Sequence, residues 1–254
     1  MAKWMYTIDL IRIIVLGCFW IESMWRTSSM LFNVLSWYMV MVNVLVNMLF
    51  VNNLNVLKAC LSKINEFLES LKKTLINDEP HLLRRVYHTQ KNPVLLMELK
   101  ACRRQHLEIS KIIEIFNEAF GFENIVTVAI TLVGVTFNIS DYLEVNTNDV
   151  KAFAIDRIVY LTYISLHLVL IIVTCEKLKN EAKTIGINIH RILVVTSNRQ
   201  LTTQLEFFSI QALQQNHTIL AKGLVIDATL LTKLIGSITT YVLILVQFII
   251  VKHC

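Results

Sequence analysis

The sequence predicts an all-α fold: a polytopic membrane helix bundle whose helices extend out of the bilayer into a cytoplasmic anchor bundle. Three observations predict it. Apolar residues make up 55% of the 254 positions against 17% charged, with a mean hydropathy of +0.56, a balance outside that of soluble domains. The charges are also segregated, leaving long intervals with none. Between those intervals the apolar residues recur in steps of three and four, the period of a helix with one buried face.

The first element expected is a span at about 4–21, which carries Asp9 and Arg12 near its start and an apolar core at 13–21. A span is favoured over a cleaved leader because Glu22, Met24, Trp25 and Arg26 stand where a small-residue cleavage site would have to lie. Arg12 can snorkel to the headgroups. The interval 27–57 is free of charge and longer than a bilayer of about 30 Å requires, so its span is placed at about 30–51, with the helix continuing into water. These two spans make up the region 1–57.

Residues 58–123 are expected to form a cytoplasmic helical hairpin. Leu54, Leu57, Leu61, Ile64, Leu68, Leu71 and Leu75 form one stripe, and Leu95, Leu99, Cys102, His106, Ile109, Ile113, Phe116 and Phe120 another. The only prolines, Pro80 and Pro93, bracket the turn between them. Region 124–175 then holds two spans, from the charge-free runs 124–140 and 158–175, joined by a short extracellular loop at 141–157. Residues 176–233 are expected to be cytoplasmic helices. One continues the preceding span to Val195, TSNRQ turns, and a second carries Leu201, Leu205, Phe208, Ala212 and Ile219. The last span, in 234–254, ends in a short extracellular tail.

Loop charge sets the orientation. Lys and Arg number 11 in 58–123 and 7 in 176–233, against 2 in 141–157 and 1 in 22–29, so the two large segments face the cytoplasm. The net charge of +5 is accounted for by this topology, and no nucleic-acid partner is implied. Cys18, Cys60, Cys102, Cys175 and Cys254 are odd in number and scattered, giving no disulfide framework. The sequons at Asn138 and Asn216 fall at a span end and on the cytoplasmic side, where glycosylation is not expected.

The last span reads LIGSITTYVLILVQFIIV. An amide in hydrocarbon without a partner costs several kcal/mol, about 4–8 on an alkane scale, so Gln247 is expected to face protein or a water-filled path. Gly236, Thr240, Leu243 and Gln247 fall on one helical face, as residues lining a shared pore would. The same pattern fits close helix packing through small residues, with Gln247 bonded to a neighbouring backbone. Spacing alone leaves both open.

Thr240, Tyr241, five apolar residues, Gln247 and Phe248 match the T-Y-(five apolar)-Q-F motif of insect gustatory receptors, and the chain resembles that family of seven-span, ligand-gated cation channels related to the odorant receptors. The similarity extends to FFSIQALQQNHTILAKGLVIDATLL, CEKLKNEAK and HLEISKIIEIFNEAFG, covering roughly residue 30 to the end. It implies that the five spans correspond to the third to seventh of the family, the first two being absent. It implies further that four copies of the last helix surround an ion path, with Gln247 and Phe248 at its outer constriction and Thr240, Gly236 and Leu243 along its wall. Tyr241, on the flank of the stripe, is expected to pack against a neighbouring helix with its hydroxyl satisfied.

The expected function is therefore that of a tastant-gated, non-selective cation channel subunit in the plasma membrane of gustatory neurons, working as a homo- or heterotetramer with membrane lipid around it. The alternatives are a non-conducting binding or assembly subunit and an odorant-receptor relative. For the ligand, the outer span halves offer Asn33, Trp37, Tyr38, Phe137, Asn138, Asp141, Tyr142, Arg157, Tyr160 and Tyr163. Of these Trp37, Tyr38, Asn138, Tyr142, Tyr160 and Tyr163 are the candidates for contact, although aromatic belts use the same residue types. No catalytic role is expected. The seven histidines show no ligand spacing with Cys or carboxylates, no glycine-rich phosphate loop is present, and neither metal nor cofactor is called for.

Overall fold

A computed structural model describes residues 30–77, 88–144, 150–196, 198–215 and 217–253, together with Ile14 and Gly17. The expected span at 4–21 otherwise lies outside the described residues, as does the turn at 78–87. The described elements are α1 (Met30–Asn77), α2 (His88–Glu144), α3 (Val150–Val195), α4 (Arg199–Gln214), β1 (Leu220–Ala221), β2 (Leu224–Val225) and α5 (Ala228–His253). Four helical stretches are long and apolar enough to cross a membrane: Met41–Ile76, Pro93–Ile139, Leu161–Val195 and Ala228–Phe248. The chain divides into two compact units, 1–56 and 57–254.

In the first unit α1 buries Val44, Asn47, Met48, Phe50, Val51 and Leu54, and Asn47 Nδ2 donates to Asn43 Oδ1 one turn earlier. In the second unit the same helix continues with the stripe Leu57, Leu61, Ile64, Leu68 and Leu71, all buried. α3 supplies Leu178, Ala182, Ile185, Ile189 and Ile192 to the core of that unit at helical spacing. Asn65 joins the two helices, its Nδ2 donating to the Glu181 carbonyl at 3.0 Å and to Glu181 Oε2 at 3.1 Å, while its Oδ1 accepts from Asn188 Nδ2 at 3.2 Å. A polar group so placed fixes the register that a purely apolar stripe would leave free to slide by a turn.

α2 is long because nothing breaks it. Its apolar stripe from Leu99 through Cys102, His106, Ile109 and Ile113 to Phe116 is buried, and the charge-free run 124–140 carries it on without interruption. Pro93 lies inside this helix, near its start, and so does not close the turn as the sequence suggested. This helix runs to Glu144 and α3 starts at Val150, so the described part of the expected 141–157 loop is helical, while 145–149 lie outside the described residues. Within the span, Thr131, Thr136 and Asn138 each turn a side-chain donor back onto the carbonyl four residues earlier, which hides their polarity from hydrocarbon.

α4 begins at Asn198, whose side chain accepts from the Gln200 amide, and ends at Gln214, earlier than the sequence suggested. Ile219 is therefore not on that helix. The region 176–233 is not wholly helical: residues 220–225 form an antiparallel hairpin in which Leu220 pairs with Val225 and Ala221 with Leu224. Its two-residue turn is Lys222–Gly223, both at positive φ (48° and 97°), the geometry that matches the twist of tightly linked strands. Alternation too short to register as a strand, ahead of one glycine, hid this element in the sequence.

Candidate functional site

α5 carries the residues singled out from the sequence. Only 11% of its span is buried, against 44% for α1, so most of its surface has no cover among the described residues. Leu234 is buried and Ile238 and Leu245 are half-buried, marking the packed side. Gly236, Thr240, Leu243 and Gln247 lie opposite, within an arc of about 60° at 100° per residue, and all four are exposed. A side chain added at Gly236 would meet nothing within 4 Å. Thr240 Oγ1 donates to the Gly236 carbonyl at 2.9 Å, which leaves its methyl and the hydroxyl lone pairs outward. Tyr241 and Phe248, 52% and 69% exposed, lie beside the stripe and are covered only in part by the described residues.

The other end of α5 is held firmly. Asp227 sits just before the helix, and its Oδ1 accepts from the amides of Thr229 at 3.0 Å and Leu230 at 3.3 Å and from the Thr229 hydroxyl. Its Oδ2 accepts from Lys179 Nζ of α3 at 3.1 Å, and Glu176 Oε2 accepts from the Ala228 amide at 3.3 Å. The free amides of a helix start are thus met by two carboxylates. The hydroxyl of Thr229, with help from Lys179, holds the Asp227 carboxyl down to about 2.

The segment leading into Asp227 is docked along α2 at three levels. Ser110 Oγ lies 2.9 Å from His217 Nε2. Asn117 reads the backbone of the strand, donating to the Thr218 carbonyl at 3.0 Å and accepting from the Leu220 amide at 3.1 Å. At Gly121 the hairpin comes so close that a Cβ would stand 3.4 Å from the Lys222 nitrogen and 3.5 Å from the Leu220 oxygen. Behind Ser110, His106 is fully buried, its ring 4.8 Å from His217 and edge-on to Phe208 of α4 at 5.3 Å. Burial, and secondarily the neighbouring His217, pull His106 down to about 4, and burial lowers His217 as well.

The ligand candidates are dispersed. Tyr38 is exposed, Asn138 is half-buried with its amide turned onto the Gly134 carbonyl, and Tyr163 is half-buried with its ring stacked over buried His167 at 6.2 Å. The side chains of Asn33, Trp37, Asp141, Tyr142, Arg157 and Tyr160 lie outside the described residues. Among the described residues no group of three metal-ligating side chains converges.

A family model described as 7tm Chemosensory receptor matches residues 3–252. The chain belongs to that chemosensory receptor family. It is a family of receptors and not of enzymes, and with four apolar spanning candidates the protein is a multi-pass membrane protein. The fold is similar to that of the insect olfactory receptor OR5 from Machilis hrabei, solved in complex with eugenol, with a TM-score of 0.66 at 15% identity over 88% of this chain. The chain spans 54%, about half, of that receptor's length. No curated protein sequence matches it. The helical bundle and the terminal helix were legible in the sequence, whereas the clamp at the start of α5, the hairpin and the histidine pair emerged from the structure. For the clamp the sequence did hold a signal: Asp227 two residues before Thr229 at a helix start is the pattern of a capping residue.

Proposed function

We propose that the protein is a subunit of a tastant-gated, non-selective cation channel of the gustatory type, with Gly236, Thr240, Leu243, Gln247 and Phe248 of α5 lining the ion path. The observation that carries this reading is the exposed amide of Gln247, on a stripe of small and polar residues that its own chain leaves uncovered. Lipid would leave that amide unsatisfied, so the stripe is suited to water shared with equivalent helices of other copies. Four copies around an axis would present four such amides to a permeating ion. The T-Y-(five apolar)-Q-F motif supports the gustatory over the odorant branch, the likeness to OR5 being one of fold.

In this reading 58–123 and 176–233 lie in the cytoplasm, the 141–157 loop and the carboxyl end face outward, and the receptor sits in the plasma membrane of a gustatory neuron. A small-molecule tastant, met in the outer half of the bundle by groups such as Asn138 and Tyr163, would favour the conformation in which the α5 helices separate. The test is cysteine accessibility with current recording. Thr240→Cys should react with water-soluble thiol reagents and Leu245→Cys should not, and Gln247→Ala should change cation permeability more than surface expression. Reaction at Leu245 with protection at Thr240, and unaltered permeation in Gln247→Ala, would remove the pore assignment.

A further inference from the structure

His106 and His217 stand where α2, α4 and the segment entering α5 meet, and their hydrogen bonds define their protonation. The Gln211 side-chain nitrogen donates to the Arg103 carbonyl at 3.1 Å, which fixes the orientation of that amide; the same nitrogen lies 3.2 Å from His106 Nδ1. An amide nitrogen only donates, so His106 Nδ1 must accept and the ring's single proton is on Nε2. Nε2 finds no hydrogen-bond partner among the described residues. His217 Nε2 lies 2.9 Å from Ser110 Oγ, which is itself 2.9 Å from the His106 carbonyl, so the hydroxyl proton goes to Nε2 where that nitrogen is bare and to the carbonyl where it is protonated.

The contact with Gln211 sets His106 as a neutral ring, and burial disfavours the charged form of both rings. A second proton on His106 would go to Nδ1 and set a donor against the Gln211 amide, breaking the contact between α2 and α4. A second proton on His217 would turn the Ser110 hydroxyl round to the His106 carbonyl, 2.9 Å away, and leave a buried cation against the other imidazole. Among the described residues, the group that favours a charged ring is the Gln215 backbone beside His217, and burial outweighs it. α2 contributes the Cys102 thiol, kept neutral by burial, and Arg103, a cation engaged with Gln204 Oε1 at 3.4 Å. α4 contributes Phe208 and Gln211, with its charged Arg199 and Glu206 exposed on the surface. The hairpin contributes only Lys222, exposed at the tip. Neither ring is coupled to a carboxylate.

We propose that the docking of residues 217–227 onto α2 is proton-linked, so that acidification on the cytoplasmic side releases the segment that enters α5. Its bearing on the channel, as regulation of the α5 path, rests on the gustatory-channel reading above; the docking itself does not. The sign follows from linkage. A histidine that is neutral when docked and ordinary when released favours release as pH falls below about 6.5, and the effect saturates near the docked value of about 4. Between pH 7.5 and 5.5, His106 alone shifts the equilibrium toward release by about tenfold.

The experiment is hydrogen–deuterium exchange of the whole chain in phosphatidylcholine nanodiscs at pH 7.5, 6.5 and 5.5, with exchange times rescaled for the chemical rate. The Leu220 amide, which bonds to Asn117, reports docking, and amides of 61–71 in α1 report the rest of the fold. Protection at Leu220 should fall about tenfold from pH 7.5 to 5.5 while 61–71 is unchanged. In the double variant His106→Phe, His217→Gln the pH dependence should vanish. The proposal is overturned by wild-type protection at Leu220 that ignores pH, by equal loss at 61–71, or by undiminished pH dependence in the double variant. The wild-type arm decides even where the double variant does not fold. Exchange that follows pH in a chain carrying no current supports the proposal and counts against the pore reading.

Discussion

Replacing Asp227 by alanine removes four bonds from the start of α5, three in the cap and one in an ion pair, and the two groups can be sized separately. The cap on the Thr229 and Leu230 amides contributes about 1 kcal/mol. The ion pair with Lys179 is discounted because that lysine side chain is 38% exposed, leaving about 0.5–1 kcal/mol. Together the loss is about 2 kcal/mol, a factor of roughly 30 in local opening. The same bonds hold the carboxyl down, at about 2 instead of 3.8. Because the folded value is depressed, this stabilisation is fully present above about pH 4 and is lost as pH falls through about 2. Hydrogen exchange of 229–231 should therefore rise about thirtyfold in Asp227→Ala at neutral pH, and by much less in Asp227→Asn, which keeps an acceptor at the cap. Equal losses in the two variants would show that capping is not what holds the helix, and no loss in either would refute the clamp.

Three further outcomes follow from the packing. Leu61→Ala and Leu68→Ala, at side chains fully buried within the chain, should each cost about 2–5 kcal/mol in thermal unfolding, and should do so in the isolated subunit as much as in any oligomer. Asn117→Asp keeps the acceptor for the Leu220 amide but turns a carboxylate on the Thr218 carbonyl, so protection of 218–221 should drop with a cost of about 1–3 kcal/mol. Gly121→Ala should be close to neutral, its Cβ meeting the hairpin at 3.4 Å and a better helix former replacing glycine, whereas Gly121→Leu should displace the hairpin and expose Leu220 to exchange.

What the sequence made legible was whatever repeats with the helical period. The stripe Leu57 to Leu71 and the stripe Leu99 to Phe116 are buried as their spacing required, because every turn adds another apolar residue to the same face. The stripe in α1 reads equally well as a subunit interface or as a core, since spacing specifies that a face is covered and not by what; Asn65 bonding to Glu181 and Asn188 shows α3 to be a partner. Residues 215–227 were not legible for the opposite reason. Their order comes from contacts 48 to 107 positions apart, Lys179 with Asp227 and Ser110 with His217, and neither partner announces the other locally. His106 sat in the α2 stripe as one more buried position, and only the approach of His217 gives it chemistry.

The two ends of α5 differ in a way that bears on what surrounds the helix. At its start every free amide that is described meets a carboxylate of the chain, the hairpin is pinned to Asn117, and Leu234 is buried. Beyond Leu234 the chain covers one side only, through Ile238 and Leu245, and the other side carries Gly236, Thr240 and Gln247. A helix meant to face lipid on that side would bear large apolar residues there, as α5 does at Ile235 and Ile244, since each buried methylene contributes about 0.8 kcal/mol. Placing an amide and a glycine instead forfeits that gain and adds the cost of an unpaired polar group. The sequence of α5 is stable in a membrane only if protein or water beyond the described residues meets the stripe. Small residues alone would satisfy a packed interface, but Gln247 retains two donors and an acceptor that a close-packed apolar neighbour cannot satisfy. Those donors and that acceptor need either water, as in the channel reading proposed above, or a polar group of a neighbouring helix.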